Sequence, residues 1–213
     1  MTITALSARD LMRSAYENRY TWNADFPGYT ADVTFSQGDA VHTAQARINA
    51  DYTFEVSEIA DAEAKKAIHG QIWEIAVHRV SRPFEQTHGQ NTFELGETDA
   101  TGAVEIIVGG KGAGDQYKVR DRTVTLVHRH IHGTVVTINT LSTHDTPEGY
   151  LSHRYDSIYS DPQTGEVKGP KSYFEDNYDQ VGNYYILTQR VITTEGDVEP
   201  AMEFTFSNIH LLD

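Results

Sequence analysis

The sequence predicts a mainly β chain of the α+β class, one antiparallel sheet covered by two helices, on three observations. Most of it alternates apolar and polar residues in short runs, the period of half-buried strands. Compact turn signals separate those runs, among them Gln37-Gly38-Asp39, Asp121-Arg122, Asp161-Pro162-Gln163-Thr164-Gly165 and Glu195-Gly196-Asp197. Only two stretches, residues 7–20 and 61–79, place apolar residues at helical spacing. Many short strands joined by short turns give a meander rather than βαβ units.

The first helix is capped by Ser7, with Asp10 three residues on as the capping-box acid. Leu11, Met12, Ala15, Tyr16 and Tyr20 form its apolar stripe, and Trp22, Phe26 and Tyr29 follow closely, so it is expected to seal one side of the core. Pro27-Gly28 separates it from a strand whose Tyr29, Ala31, Val33 and Phe35 share a face. Residues 41–48 return, and Tyr52, Phe54 and Val56 mark a third strand. The second helix has Asp61 as its cap and Ala64, Ile68, Ile72, Ile75 and Ala76 as its stripe, and Ser81-Arg82-Pro83 stops it. Strands are then expected near 91–96, 103–108, 116–120, 122–131, 134–141, 150–160, 167–178, 184–194 and 201–210. The glycines of 109–114 read as a hairpin loop, because a strand and not a helix follows them. With no repeat, low-complexity tract or linker, residues 1–213 are read as a single domain.

Composition narrows the function. A formal net charge of -14 repels phosphate backbones and anionic membranes, which argues against nucleic acid as a partner and leaves an acidic surface for a protein partner. The absence of cysteine excludes disulfides, thiolate metal sites and cysteine nucleophiles. No apolar run approaches the roughly 20 residues of a transmembrane span, and no secretory signal is visible at the start, so a cytoplasmic location is expected.

Two sets of residues carry candidate chemistry. His128, His130 and His132 stand in His128-Arg129-His130-Ile131-His132. On a continuous strand their imidazoles would share one face about 6.5–7 Å apart, so neighbouring pairs can bind a divalent transition metal. His144, Asp145, Glu148 and His153 are further ligand candidates. The opposing reading makes 129–133 a hairpin turn whose histidines splay outward. Val124 and Leu126 run in phase with the histidines and Val127 and Ile131 out of phase, so the pattern leaves the inward face open. The second set is aromatic: Trp73 with Tyr155, Tyr159, Tyr173 and Tyr178, a lining for an apolar ligand or ordinary cross-strand packing. His69 and His78 lie on the helix of Trp73, at a pocket mouth or in helix–sheet packing. Glu175, Asp176 and Asp179 supply an acid/base pair only if one of them is buried. Ser152, His153 and Asp156 have the residue types of a hydrolase triad without its G-x-S-x-G elbow.

The order and texture of the chain resemble a known architecture. Residues 45–56 resemble the place in bacterial lipoprotein-carrier and lipoprotein-receptor proteins, the LolA/LolB-like superfamily, where a strand, a turn and an aromatic strand form the wall of a half barrel. Residues 117–141 resemble the central hairpin, as do residues 174–191, and residues 204–209 resemble the final strand. More narrowly, the whole chain resembles a family of uncharacterised proteins widespread in cyanobacteria. The superfamily resemblance implies a strongly curved sheet whose concave apolar face is covered by helices. The expected function is therefore a non-catalytic binding protein holding a lipid, pigment or isoprenoid-like molecule in the sheet's cavity. The alternative is a metal-binding protein or metal-dependent enzyme centred on His128, His130 and His132.

Overall fold

A computed structural model describes residues 6–197 and 200–213. It contains twelve strands: β1 (Gly28–Gln37), β2 (Ala40–Asn49), β3 (Phe54–Ser57), β4 (Asn91–Thr98), β5 (Val104–Gly110), β6 (Gln116–Arg120), β7 (Thr123–Ile131), β8 (Thr134–Thr146), β9 (Gly149–Ser160), β10 (Val167–Val181), β11 (Tyr184–Thr194) and β12 (Met202–Leu211). The helices are α1 (Ala8–Glu17), α2 (Ala62–Arg79) and the short α3 (Phe84–His88). The strands form an antiparallel sheet in the order β3-β2-β1-β12-β11-β10-β9-β8-β7-β6-β5-β4. β3 and β4 are its two edges, so it is not closed into a barrel. The fold is thus the expected mainly β, α+β arrangement, and every expected strand is present.

The chain divides into two compact units. The first comprises the chain up to Tyr20 and Arg82–Ser172, and the second Thr21–Ser81 and Tyr173–Asp213.

In the first unit α1 begins as its sequence dictates. The Ser7 hydroxyl accepts from the Asp10 N–H at 3.1 Å and donates to the Asp10 carboxylate at 2.6 Å, satisfying a donor that the first turn leaves open. Ala8, Met12, Ala15 and Tyr16 face inward and pack with Phe84, Ile106, Val108, Tyr117, Val119 and Val124. Each fully buried aliphatic or aromatic side chain of such a core contributes about 1.5–3 kcal/mol. α3 follows the predicted stop: Pro83 ends one helix and stands as N-cap of the next, which carries Phe84 into this core.

The end of α1 is tied to β9. Arg19 and Tyr150 form a parallel bridge, Tyr20 N–H donates to the Tyr150 carbonyl at 2.9 Å, and Tyr150 N–H donates to the Asn18 carbonyl at 2.8 Å. Gly149 allows that approach. Its φ is +141°, and a Cβ there would collide with the Asn18 carbonyl oxygen. Gly149→Ala is therefore expected to lower stability by more than about 1 kcal/mol. Gly70→Ala, in α2 with open space around it, is expected to be neutral or slightly stabilising. Thermal melts of the two variants check this contrast; equal melting temperatures would refute it.

In the second unit an aromatic cluster anchors the strand that follows. Trp22 stacks on Phe26 with centroids 4.0 Å apart and meets Tyr29 edge-on at 6.0 Å. Its indole N–H donates to the Tyr185 carbonyl at 3.3 Å. These aromatics are buried in the second unit. α2 is capped by Asp61, whose carboxylate accepts from the Ala64 N–H at 2.8 Å, and it buries the predicted Ala64, Ile68, Ile72, Ile75 and Ala76. β1 pairs with β2 in continuous register and with β12 across a bulge between Thr30 and Asp32.

Candidate functional site

A bulge determines which side chains of the first unit face α1. β6 and β7 pair Val119 with Val124 but Lys118 with Leu126, so Thr125 is an extra residue on β7. The slip reverses the alternation. Val124 and Val127, three positions apart, both pack on the core closed by α1. Beyond the bulge Val127, Arg129 and Ile131 alternate on this helix-bearing face, and Leu126, His128 and His130 lie on the opposite one. Cross-strand register continues the face: Val127 opposite Ile138, Arg129 opposite Val136, Val136 opposite Tyr159, and Thr140 opposite Tyr155. Part of it stays open. Tyr159 is 48% and Ile131 39% exposed, while Val127, Ile138 and Tyr155 are half-buried.

Arg129 stands in the midst of these residues. Its Nε is buried and donates no hydrogen bond, and its only ion pair is a loose one, Nε standing 3.5 Å from Asp115 Oδ2. Asp115 is itself buried and already engaged: its Oδ1 accepts from the His130 backbone N–H at 2.9 Å and lies 3.2 Å from His130 Nδ1. Nearby, His88 is buried among the rings of Tyr16, Phe84, Phe93 and Tyr117. Burial, reinforced by the guanidinium charges of Arg129 and Arg19, lowers this imidazole to about 4, so it is neutral at pH 7. Burial also pushes the Tyr117 phenol up to about 12.

The second unit holds a buried polar network beneath α2. Asp176 and Arg190 are 1% and 6% exposed. They are joined by two parallel bonds, Nε to Oδ1 at 2.8 Å and Nη2 to Oδ2 at 2.6 Å. Arg190 Nη1 reaches up to α2, donating to Gln71 Oε1 at 2.9 Å and Glu74 Oε2 at 3.0 Å. The Tyr178 hydroxyl donates to Asp176 Oδ2 at 3.2 Å and accepts from Arg79 Nη2 at 3.2 Å. Burial raises the Tyr178 phenol to about 12, so it remains a donor at any physiological pH. Of the three carboxylates named from the sequence, then, Asp176 is buried, but its partner is a guanidinium rather than a second acid.

The histidine row breaks. β7 ends at Ile131, and His132 and Gly133, with φ of 49° and 76°, form the two-residue turn into β8. The His128 and His130 rings are 6.0 Å apart, and His128 Nδ1 lies 2.8 Å from Thr137 Oγ1. His144 and His153 form a second pair with rings 4.3 Å apart. Along β8, Thr137 and His144 are separated by about 23 Å at 3.3 Å per residue, so the two pairs do not meet. Among the described residues no group of three or more histidine, aspartate or glutamate side chains converges where a metal ion would sit. The structure thus does not assemble His128, His130, His132, His144 and His153 into one site. Of the triad residues, Asp156 accepts from Asn139 Nδ2 at 2.8 Å, and His153 Nδ1 lies 3.1 Å from Ser142 Oγ.

The aromatic candidates divide between the units. Tyr155 and Tyr159 share the helix-bearing face of the first. In the second, Trp73 is 55% exposed on α2, Tyr173 is exposed, and Tyr178 belongs to the arginine network. His69, one turn from Trp73, packs its ring 4.8 Å from that of Phe54. Two clefts accompany these faces, and both are polar. One of about 400 Å³ in the first unit is lined by Thr123, Thr140, Ser142, Arg120 and Asp145 among others. One of about 290 Å³ in the second includes Asp32, Gln45 and Asn208. No helix among the described residues is long and apolar enough to cross a membrane.

The family of proteins of unknown function DUF3386 matches residues 3–212. The chain belongs to that family. No curated protein sequence matches it. Among solved structures it is similar to a LolA superfamily protein from Nitrosomonas europaea, with 10% identity, 98% of this chain and 95% of that one covered, and a TM-score of 0.40. It is also similar to a putative outer membrane lipoprotein-sorting protein domain from Vibrio parahaemolyticus, with 10% identity, coverage of 96% and 92%, and a TM-score of 0.38. A third is the MucA/MucB complex of Pseudomonas aeruginosa, with 11% identity, coverage of 97% and 99%, and a TM-score of 0.25.

Sequence reasoning passed over both arginines that organise these faces. Arg129 stood only as a spacer between histidines, and Arg190 was not singled out. A signal existed in each case. Arg129 has the parity of Val127 and Ile131, and Arg190 that of Ile186 and Ile192, both buried. A charge in phase with inward apolar residues has to find a partner or a ligand.

Proposed function

We propose that the protein is a non-catalytic binding protein that takes a small apolar ligand, of lipid, pigment or isoprenoid type, on the helix-bearing face of the first unit's sheet. One observation carries this reading: Tyr155, Tyr159 and Ile131 stand on the face that α1 roofs over β4 to β7, yet they remain partly open where β8 and β9 continue it. Removing such aromatic and aliphatic surface from water supplies about 25 cal/mol per Å². The rings and branched aliphatics on this face suit holding an apolar molecule.

Native mass spectrometry of untagged protein, compared with the denatured mass, tests the proposal. An organic adduct that leaves on denaturation is expected. Tyr159→Ala is expected to weaken retention of that adduct severalfold, by loss of ring contact. A bare polypeptide mass, together with no binding of dodecanol or a neutral fluorescent lipid probe, would sink the reading.

A further inference from the structure

Arg129 places a half-exposed, loosely paired cation on the proposed binding face. A guanidinium has five N–H donors in a planar fork and is charged at any accessible pH. Among the described residues this one donates none of them in a hydrogen bond; its Nε is buried, while the side chain as a whole is 42% exposed, so its outer nitrogens are open to an acceptor from solvent. Buried donors in folded proteins are almost always paired, so an orphaned guanidinium nitrogen points to an acceptor that arrives from outside. Asp115 does not fill that role. Its nearest approach is 3.5 Å, from Oδ2 to Nε, too long for a hydrogen bond, and its other oxygen serves His130.

The surroundings are apolar along β7 and towards β8 and β9, while Asp115 stands on the side of β6. Ile131 and Val127 flank Arg129 along β7, Val136 lies opposite on β8, and Tyr159 lies beyond Val136 on β9. The positive field is not confined to one residue, because Arg129 and Arg19 both act on His88 and Tyr117. On a chain of net charge -14 this is an unusual place to leave cations.

Resting on the reading that this face holds an apolar ligand, we propose that the ligand is an amphiphile with an oxyanion head group, and that Arg129 receives the head while Tyr155, Tyr159, Ile131 and Ile138 hold the chain. The planar fork matches a carboxylate by two parallel bonds, so a long-chain carboxylate is the preferred form. An alkyl phosphate has the same oxyanion chemistry from a different source.

The test compares laurate, dodecyl phosphate and dodecanol, each below its aggregation limit, by isothermal titration calorimetry on the untagged chain after delipidation. Laurate is expected to bind at least about tenfold more tightly than dodecanol, the increment of a charge-assisted hydrogen bond at a partly desolvated site. Arg129→Gln is expected to bring that ratio close to one, Arg129→Lys to restore part of it, and added salt to shrink it in the unaltered chain. Far-UV circular dichroism confirms that each variant is folded; if Arg129→Gln is not, the salt dependence and Arg129→Lys carry the test. Tighter binding of dodecyl phosphate than of laurate assigns the head group to a phosphate and overturns the carboxylate preference. Equal affinity for all three ligands overturns the head-group assignment and leaves the apolar-ligand reading standing. If none of the three binds, that reading fails and the head-group assignment with it.

Discussion

Arg190→Ala is expected to destabilise the second unit by about 3–5 kcal/mol, the usual cost of breaking a buried ion pair by deleting one partner. Asp176 is 1% exposed, and the guanidinium supplies it with two charge-assisted bonds of 2.8 and 2.6 Å. Deleting that fork leaves a carboxylate in a site with little water to replace it. The same substitution severs the link from β11 to Gln71 and Glu74, so α2 loses a polar tether as well. Asp176→Asn is expected to cost less, because Arg190 keeps its bonds to α2 and the amide still accepts one of its donors. The double variant Arg190→Met with Asp176→Leu removes both charges at similar volume, and it is expected to be more stable than Arg190→Ala alone. Urea titration followed by tryptophan fluorescence is the measurement. Both tryptophans of the chain, Trp22 and Trp73, lie in the second unit, so the signal reports the unit that is altered. In a chain of this size the loss corresponds to a fall in melting temperature of roughly 6–20 °C. A loss below about 1 kcal/mol would show that water reaches the pair and that the network is ornamental to stability.

That network also marks the limit of what the sequence reveals. Strand positions were legible because their signals are local. The turn at Asp121-Arg122 sits where two short runs of opposite phase meet, and Ser7 and Asp61 are caps readable within four residues. Partnership is different. Arg190 finds Gln71 and Glu74 at separations of 119 and 116 residues, and no periodicity carries that information. β1 pairs with β12 from the far end of the chain for the same reason. Phase was lost at one residue. Thr125 bulges, and every side chain after it on β7 changes face relative to simple alternation, which is why Val124 seemed to travel with the histidines. The histidine row failed at its other end, where His132 takes a left-handed backbone conformation in a two-residue turn. Three histidines in five residues thus read as a metal site only while a straight strand is assumed.

Acid is expected to weaken the first unit through His88, and the sign follows from its burial. The imidazole is 4% exposed, and desolvation together with the charges of Arg129 and Arg19 lowers it from the model-peptide value of 6.5 to about 4. Asp115 opposes these effects without overcoming them. Above pH 6.5 the ring is neutral in both folded and unfolded chains, and its contribution is fully present. As pH falls from 6.5 towards 4 the unfolded chain takes up a proton that the folded chain refuses, so stability is progressively lost; below about 4 both forms are protonated and the loss levels off. The difference is about 3 kcal/mol across that window, from 1.36 kcal/mol per pH unit. His88→Phe keeps a ring among Tyr16, Phe84, Phe93 and Tyr117 and removes the titrating group. It forfeits the contact of Nδ1 with Asn91 Nδ2 at 3.1 Å, so its stability at pH 7 is expected to be somewhat lower. The informative quantity is the slope. Melting temperatures from pH 7 to pH 4.5 are expected to fall more steeply in the unaltered chain than in His88→Phe, since carboxylates and the other histidines are common to both. Parallel slopes would mean that His88 titrates normally and that water or a proton path reaches it. A difference of the expected sign would identify this imidazole as a buried neutral base beside Arg129, which matters for the head-group assignment. A ring that stays neutral adds no positive charge there, so the positive field that Arg129 and Arg19 offer an oxyanion gains nothing from His88.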